Sequence, residues 1–165
     1  MARPHSISLA QSWLMRVVIQ RVTQAAVTVA DEVVGAIGPG LCLLVGVGPG
    51  DDQRDIAAAV EKICGLRIFG DDENKMNRSL ADVAGEVLVV SQFTLLGDAS
   101  RGRRPSFVGA APTDVAAPLI ETMISGFADR GVVTASGVFG AKMSVALVND
   151  GPVTMVLEFR DGQLA

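Results

Sequence analysis

The chain has 165 residues, a hydrophobic fraction of 49%, 18 glycines and a formal net charge of −4. This length fits one domain, and the composition excludes a disordered chain. The acidic total argues against broad, charge-driven coating of nucleic acid, although a local basic surface could still bind a short RNA segment. No apolar run approaches the roughly 20 residues that span a bilayer.

The N-terminal segment and the cysteines indicate the compartment. Residues 1–14 have neither the basic start nor the continuous apolar stretch of a signal peptide. We expect them to form a disordered extension, or translation to start at Met15, and residues 15–165 to form the folded domain. Cys42 and Cys64 form no CxxC pair and are expected to be buried core thiols. Two unpaired cysteines without a secretory signal predict a cytoplasmic protein.

Apolar runs in the first part of the chain predict strands. They cover residues 16–22, 25–29, 33–37 and 41–47, with the second and third joined as a hairpin around residues 30–32. After Asp51 and Asp52, whose carboxylates suit a helix N-terminus, apolar residues recur at helical spacing. We therefore predict an amphipathic helix that ends near Gly65.

The second part of the chain predicts more strands and one further helix. A short strand at 66–69 precedes a solvated polar loop at 71–77, which lacks the glycine and terminal glutamate of a calcium-binding loop. The other predicted elements are strands at 86–92, 132–134, 144–148 and 153–159, and a helix at 113–130. Together they predict a single α/β domain in which a mixed β-sheet carries two main helices on one side.

The sequence lacks conventional hydrolytic machinery. Its one histidine is His5, in the N-terminal extension, which argues against a Ser-His-Asp or Cys-His arrangement. No His/Cys cluster has the spacing of a transition-metal site. The glycine-rich run at 46–50 has Asp51 where a dinucleotide fingerprint needs its third glycine, and Pro49 removes a backbone donor. We therefore expect any enzyme of this sequence to work without histidine and without a cofactor.

Two polar segments follow the predicted strand at 86–92. The run SQFTL, which starts at Ser91, could present hydroxyls and backbone amides to a substrate, or could simply be a polar strand end. Arg101, Arg103 and Arg104 form a compact basic loop. Such a loop suits a phosphate backbone, although many are only solvated turns.

The run NDGPVT places Gly151 and Pro152 between two predicted strands. Glycine permits backbone angles that are closed to other residues, and an X-Pro bond is the usual place for a cis peptide. An ordinary hairpin turn is the alternative interpretation.

These motifs occur together in one known family. SQFTL and NDGPVT, with MRVVIQRV, LRIFGDDENKMN, GRRPSF and FGAKM, resemble the D-aminoacyl-tRNA deacylases from Met15 to Phe159. The resemblance implies a homodimer with a three-layer β/β/α fold. It also implies an enzyme that hydrolyses the ester between a D-amino acid and the 3′-terminal adenosine of tRNA.

The resemblance further implies an active site at the dimer interface. Ser91, Gln92, Phe93 and Thr94 would line the pocket in one subunit. Gly151 and Pro152, joined by a cis bond, would enter it from the other subunit and occupy the space that an L side chain needs. The remaining implied residues are Arg21, which would hold this corner, Phe139 and Met143, which would form the neighbouring wall, and Arg101, Arg103 and Arg104, which would contact RNA.

The mechanism expected for such a site does not need histidine. An aminoacyl ester is already activated, so the tRNA 2′-OH could assist water while backbone amides near Phe93 and Thr94 stabilise the oxyanion. The rival is Thr94 as a nucleophile that forms an acyl-enzyme. A general esterase using Ser91 or Thr94 and a non-enzymatic RNA-binding module are further alternatives. Because glycine has no side chain to clash with the corner, we expect glycyl-tRNA to be accepted to some degree.

Overall fold

The computed structural model describes residues 14–165, so the predicted N-terminal extension lies outside the described residues apart from Leu14. The helices and strands in chain order are β1 (Met15–Val29), β2 (Glu32–Ile37), β3 (Gly40–Gly46), α1 (Gln53–Gly65), β4 (Phe69–Gly70), β5 (Met76–Arg78), β6 (Glu86–Ser91), α2 (Thr113–Asp129), β7 (Thr134–Ser136), β8 (Ser144–Arg160) and β9 (Gln163–Leu164). A 3-10 helix, Phe93–Leu96, follows β6. No helix in residues 14–165 is long and apolar enough to cross a membrane.

Seven strands form one mixed sheet that curls over itself. The order is β7-β6-β3-β1-β8-β9, and β2 pairs with β1. Strands β3, β6 and β7 are parallel, whereas β1 runs antiparallel to β2, β3 and β8. Because β1 pairs with β3 over its first half and with β2 over its second half, β2 folds back over β7. There Gly35 lies directly against the backbone of Ser136, where no side chain would fit.

The two faces of the sheet carry two separate cores. Alternating residues such as Val17, Leu43 and Val89 face the helices, which contribute apolar side chains that include Ile56 and Phe127. Their neighbours face the curled part of the sheet and form the second core: Val22, Ala25, Val27, Ile37, Cys42, Leu88 and Val90. This arrangement confirms the predicted α/β fold, with two sheet layers and both helices on one side.

The first helix begins where the sequence places it because its cap is complete. The Asp52 side chain accepts the Arg54 N–H at 2.8 Å, and the Asp55 carboxylate accepts the Asp52 N–H at 3.0 Å, as in a capping box. The helix ends at Gly65, as predicted.

Two predicted breaks between strands were wrong. The strands predicted at 16–22 and 25–29 form the single strand β1, because register shifts between Gln20 and Gln24 allow it to continue its pairing with β8. The strands predicted at 144–148 and 153–159 likewise form the single strand β8, which continues through Gly151 and Pro152.

Smaller elements also differ from the predictions. The polar segment predicted as a loop contributes β5, which pairs with β4 in a short hairpin around Asp71. Strand β7 begins at Thr134, two residues beyond the predicted start, because its pairing with β6 and not its apolar content fixes its position. Cys42 is buried as predicted, but Cys64 is only half-buried.

A buried carboxylate beside α1 makes the stability depend on pH. Asp51 is 9% exposed, and its Oδ2 accepts the Gly48 N–H at 2.6 Å. Burial raises the pKa of Asp51 from 3.8 to about 6. The folded state therefore holds the proton of the Asp51 carboxyl group more tightly than the unfolded state does. As the pH rises from 3.8 to about 6, the free energy of unfolding falls, because the buried carboxyl group has to ionise in the folded state.

Asp51→Asn should remove this loss of stability. We expect the free energy of unfolding of the variant, relative to the unsubstituted protein, to increase by on the order of 3 kcal/mol between pH 4 and pH 7. Urea unfolding of both proteins across this range measures the difference. The control is Asp82→Asn, because Asp82 is exposed and the Ser79 N–H bond lowers its pKa. A stability difference for Asp51→Asn that did not change with pH would contradict the prediction.

Candidate active site

A cavity of about 810 Å³ lies where the parallel strands β3 and β6 end. Carboxyl ends of parallel strands are a common place for ligands in α/β proteins. Six of the residues that the sequence analysis assigned to the site line this cavity: Ser91, Gln92, Phe93, Thr94, Phe139 and Met143. The other six, Arg21, Arg101, Arg103, Arg104, Gly151 and Pro152, do not.

A tight turn at the end of β6 forms the polar wall of the cavity. Strand β6 ends at Ser91, one residue earlier than predicted, and the 3-10 helix follows at once. The Gln92 N–H donates to Val45 O at 2.8 Å, which ties the turn to β3. A Cβ at Gly46 would lie 3.1 Å from both Gln92 O and Leu95 Cβ, so the glycine permits the turn to lie close to β3. The N–H groups of Phe93 and Thr94 begin the 3-10 helix and have no acceptor within it.

The side chains that line the cavity do not supply an acid or a base. Gln92 Nε2 donates to Thr94 Oγ1 at 3.2 Å, so the partner of this hydroxyl is an amide donor. None of the described residues that line the cavity has an ionisable side chain. His5 lies outside the described residues.

An aromatic pair connects the cavity to the basic loop. Phe93 and Phe107 both line the cavity, and their rings meet edge to face with centroids 5.2 Å apart. Just before Phe107, the backbones of Asp98 and Ser106 exchange hydrogen bonds of 2.7 and 2.8 Å. These bonds close the base of the loop that carries the exposed Arg101, Arg103 and Arg104. The basic loop therefore starts beside the cavity.

The corner at Gly151 and Pro152 lies in β8, where both residues are exposed. The peptide bond between them is cis. Arg21 lies against this corner: its Nε donates to Asp150 O at 3.1 Å and forms an ion pair with Asp150 Oδ2 at 3.3 Å. Arg21 Nη1 donates to Ile68 O at 2.7 Å. The arginine thus connects the corner to the start of the β4–β5 hairpin.

Asn149 braces the other side of the corner, a role that the sequence analysis did not assign. Its Oδ1 accepts the Val153 N–H at 3.1 Å, and its Nδ2 donates to Thr154 Oγ1 at 2.9 Å. Asparagine commonly makes such local bonds in turns, so its place in NDGPVT was the available signal.

The arrangement of these motifs matches a family of known proteins. The family model described as D-Tyr-tRNA(Tyr) deacylase matches residues 18–158, which is most of the chain. The chain belongs to this family. Membership of the D-Tyr-tRNA(Tyr) deacylase family makes the protein an enzyme of the hydrolase class.

Individual proteins and one solved structure are similar to this deacylase-family chain over most of its length. A D-aminoacyl-tRNA deacylase of Roseiflexus sp. (strain RS-1) is 57% identical over 144 residues, which cover 87% of this chain and 93% of the relative. The D-aminoacyl-tRNA deacylase of Thermus aquaticus is 54% identical over 144 residues, with coverage of 87% and 95%. A solved structure titled c-Myc DNA Unwinding Element Binding Protein is 40% identical, has a TM-score of 0.82 and covers 88% of this chain and 99% of its own.

Several walls of the cavity in this deacylase-family protein were not predicted from the sequence. Phe107 was part of a quoted motif but had no assigned role. The segment 110–113, which leads into α2, and the start of β8 also contribute walls. The residues in these segments are small, or apolar as in many strands, so they carry no local sign of a site. Tertiary contacts, such as the hydrogen bond from the Ala111 N–H to Val47 O, bring these segments to the cavity.

Proposed function

We propose that this protein hydrolyses the ester between a D-amino acid and the 3′ end of tRNA and releases the free D-amino acid and tRNA. The observation that carries this proposal is the cavity that gathers Ser91–Thr94, Phe139 and Met143 in a chain of the deacylase family. The names of relatives that are 54–57% identical support the substrate class.

Substrate-assisted hydrolysis is the mechanism that we favour. The ester is activated, and the neighbouring ribose 2′-OH can assist the attack of water, so the protein mainly positions the ester. The N–H groups of Phe93 and Thr94 are proposed to stabilise the developing oxyanion. The lack of ionisable side chains among the described lining residues supports this route over one that needs a protein base.

The rival mechanism uses Thr94 as a nucleophile. A threonine hydroxyl needs a neighbouring base to become a good nucleophile. Gln92 Nε2 is a donor and cannot remove the proton from Thr94 Oγ1. The same observation disfavours a general esterase that uses Thr94.

We propose a homodimer in which Gly151 and Pro152 of each subunit enter the cavity of the other. This pair is exposed and does not line the cavity of its own chain, so a second subunit is needed to bring it there. Strand β8 also exposes apolar side chains, Val145 (38%), Val148 (47%) and Val156 (57%), as an interface requires.

The same corner is proposed to select the chirality of the substrate. Rejecting an L-amino acid about ten-thousand-fold requires roughly 5.5 kcal/mol, which a rigid clash and a misplaced ammonium group can supply. Hydrogen bonds with Arg21 and Asn149 hold this backbone corner, so a clashing substrate side chain displaces it less easily than it would displace a flexible side chain. Glycyl-tRNA, which has no side chain to clash, is proposed to be a second substrate.

Arg101, Arg103 and Arg104 are proposed to contact the tRNA backbone in the cytoplasm. A second candidate function, nucleic-acid binding without hydrolysis, is favoured by the same exposed loop and by the DNA-binding title of the 40% identical structure. Such binding should weaken strongly with salt.

One assay distinguishes these functions. The purified protein is incubated with the same tRNA charged with the D- or the L-form of one amino acid, and the release of free amino acid is measured against a control without protein. We expect hydrolysis of the D-form, preservation of the L-form and measurable hydrolysis of glycyl-tRNA. Salt-sensitive binding without release would support the binding module, and hydrolysis of both forms and of simple esters would support the general esterase.

A further inference from the structure

The 3-10 helix Phe93–Leu96 is too short to fix its own position. Short 3-10 segments have few internal hydrogen bonds of poor geometry, so other parts of the protein must hold them. One such contact is at the carbonyl end, where Arg16 Nη1 donates to Leu95 O at 2.7 Å. Arg16 lies in β1 between its partners Gly46 of β3 and Glu158 of β8, so it reaches the turn from the middle of the sheet.

Glu158 fixes the direction of the Arg16 side chain. Glu158 Oε1 accepts a hydrogen bond from Arg16 Nε at 2.8 Å and lies 2.7 Å from Arg16 Nη2. A guanidinium is planar and rigid, so two contacts on one edge leave Nη1 directed towards Leu95 O. Hydrogen bonds from a charged donor are about twice as strong as neutral ones, which favours a fixed turn even though both side chains are about one-third exposed.

We propose that the Arg16–Glu158 pair is a positioning device that holds the carbonyl end of the 3-10 helix and thereby places the N–H groups of Phe93 and Thr94. The inference rests on the proposed function, in which these N–H groups stabilise the oxyanion. Neither Arg16 nor Glu158 lines the cavity. The pair therefore acts through the turn and does not touch the substrate.

Arg16→Ala should lower kcat and leave KM nearly unchanged. We expect kcat for D-aminoacyl-tRNA to fall by about tenfold to a hundredfold, since small misplacements of a catalytic group have effects of this size, while KM changes by less than about threefold. Arg16→Lys keeps the charge without the planar fork and should give an intermediate kcat. Added methylguanidinium should partly restore kcat in Arg16→Ala, because the site is partly open to solvent.

The matched control is Arg54→Ala. Arg54 also pairs with a carboxylate, at 2.9 Å from Asp52, but makes no contact with the turn. We expect its kcat and KM to be unchanged. If Arg16→Ala does not fold, Arg16→Lys and Glu158→Gln carry the test, because each retains part of the contact.

The outcomes separate this inference from the proposed function. Unchanged kcat in the Arg16 variants, or a rise in KM alone, overturns the positioning role while wild-type deacylation stands. A wild-type protein that does not release D-amino acids overturns the proposed function itself. In that case, unchanged backbone amide NMR shifts of Leu95 and Gly97 in Arg16→Lys would also show that the pair does not hold the turn.

Discussion

Gly151→Ala is expected to lower kcat/KM for D-aminoacyl-tRNA by about a hundredfold, because a misplacement of about 1 Å at a site has effects of this size. Gly151 has φ of +130°, a conformation that L side chains rarely adopt. An added Cβ would lie 2.9 Å from Val153 Cγ2 and 3.1 Å from Arg21 Nη2. Alanine would therefore displace both the corner and the arginine that holds it, and steady-state deacylation measures the effect.

Gly131→Ala is the control for the effect of strain alone. Gly131 also has a positive φ, +79°, but a Cβ there would meet nothing within 4 Å, and the residue lies in the turn after α2. This variant should lose some thermal stability and retain its activity. Unchanged D-specific turnover in Gly151→Ala would refute the proposed role of the corner.

A tRNA whose terminal adenosine lacks the 2′-OH should be a very poor substrate. Acid–base assistance typically contributes about 10²–10⁴-fold, so we expect a loss within this range when the assisting hydroxyl is absent. Thr94→Ala should retain turnover to within about tenfold, because its hydroxyl has no neighbouring base to activate it. Single-turnover rates for both substrates, with both proteins, provide the measurement.

Thr94→Ser is the matched variant, because it retains the hydroxyl and removes only the methyl group. If turnover were abolished in Thr94→Ala, retained in Thr94→Ser and normal with the deoxy substrate, the protein would use a threonine nucleophile. That result would reverse the proposed mechanism and leave the substrate class intact.

The sequence predicts elements well where the signal is local. Of the two carboxylates that predicted the start of α1, Asp52 is the N-cap, and Asp55 completes a capping box within the same turn. Asp51 instead bonds to the Gly48 N–H. The hairpin between β1 and β2 lies where it was predicted, because two apolar runs flank its short turn. Ala30 and Asp31 in that turn have the positive φ values of a tight hairpin, 49° and 67°.

The sequence does not predict the geometry of the site, because that geometry depends on residues far apart in the chain. Arg16 and Leu95 are separated by 79 positions, and Arg21 and Ile68 by 47. The 3-10 helix was predicted as part of a strand end. The residue that lets this turn lie close to the sheet is Gly46, which belongs to a different strand, β3, and so gives no signal in the turn's own sequence. Strand β8 was predicted as two strands because the pairing with β1 that maintains it is invisible in its own residues.

The uninterrupted lengths of β1 and β8 have a consequence for how the site meets its substrate. Both strands run from the sheet layer beneath the helices into the curled layer, and the cavity takes Ala116 from the first core and Val90 from the second. The two layers are therefore joined by strands that pass from one layer into the other without an intervening loop. The relative position of the two layers is thus set when the chain folds, and a substrate does not have to bring them together.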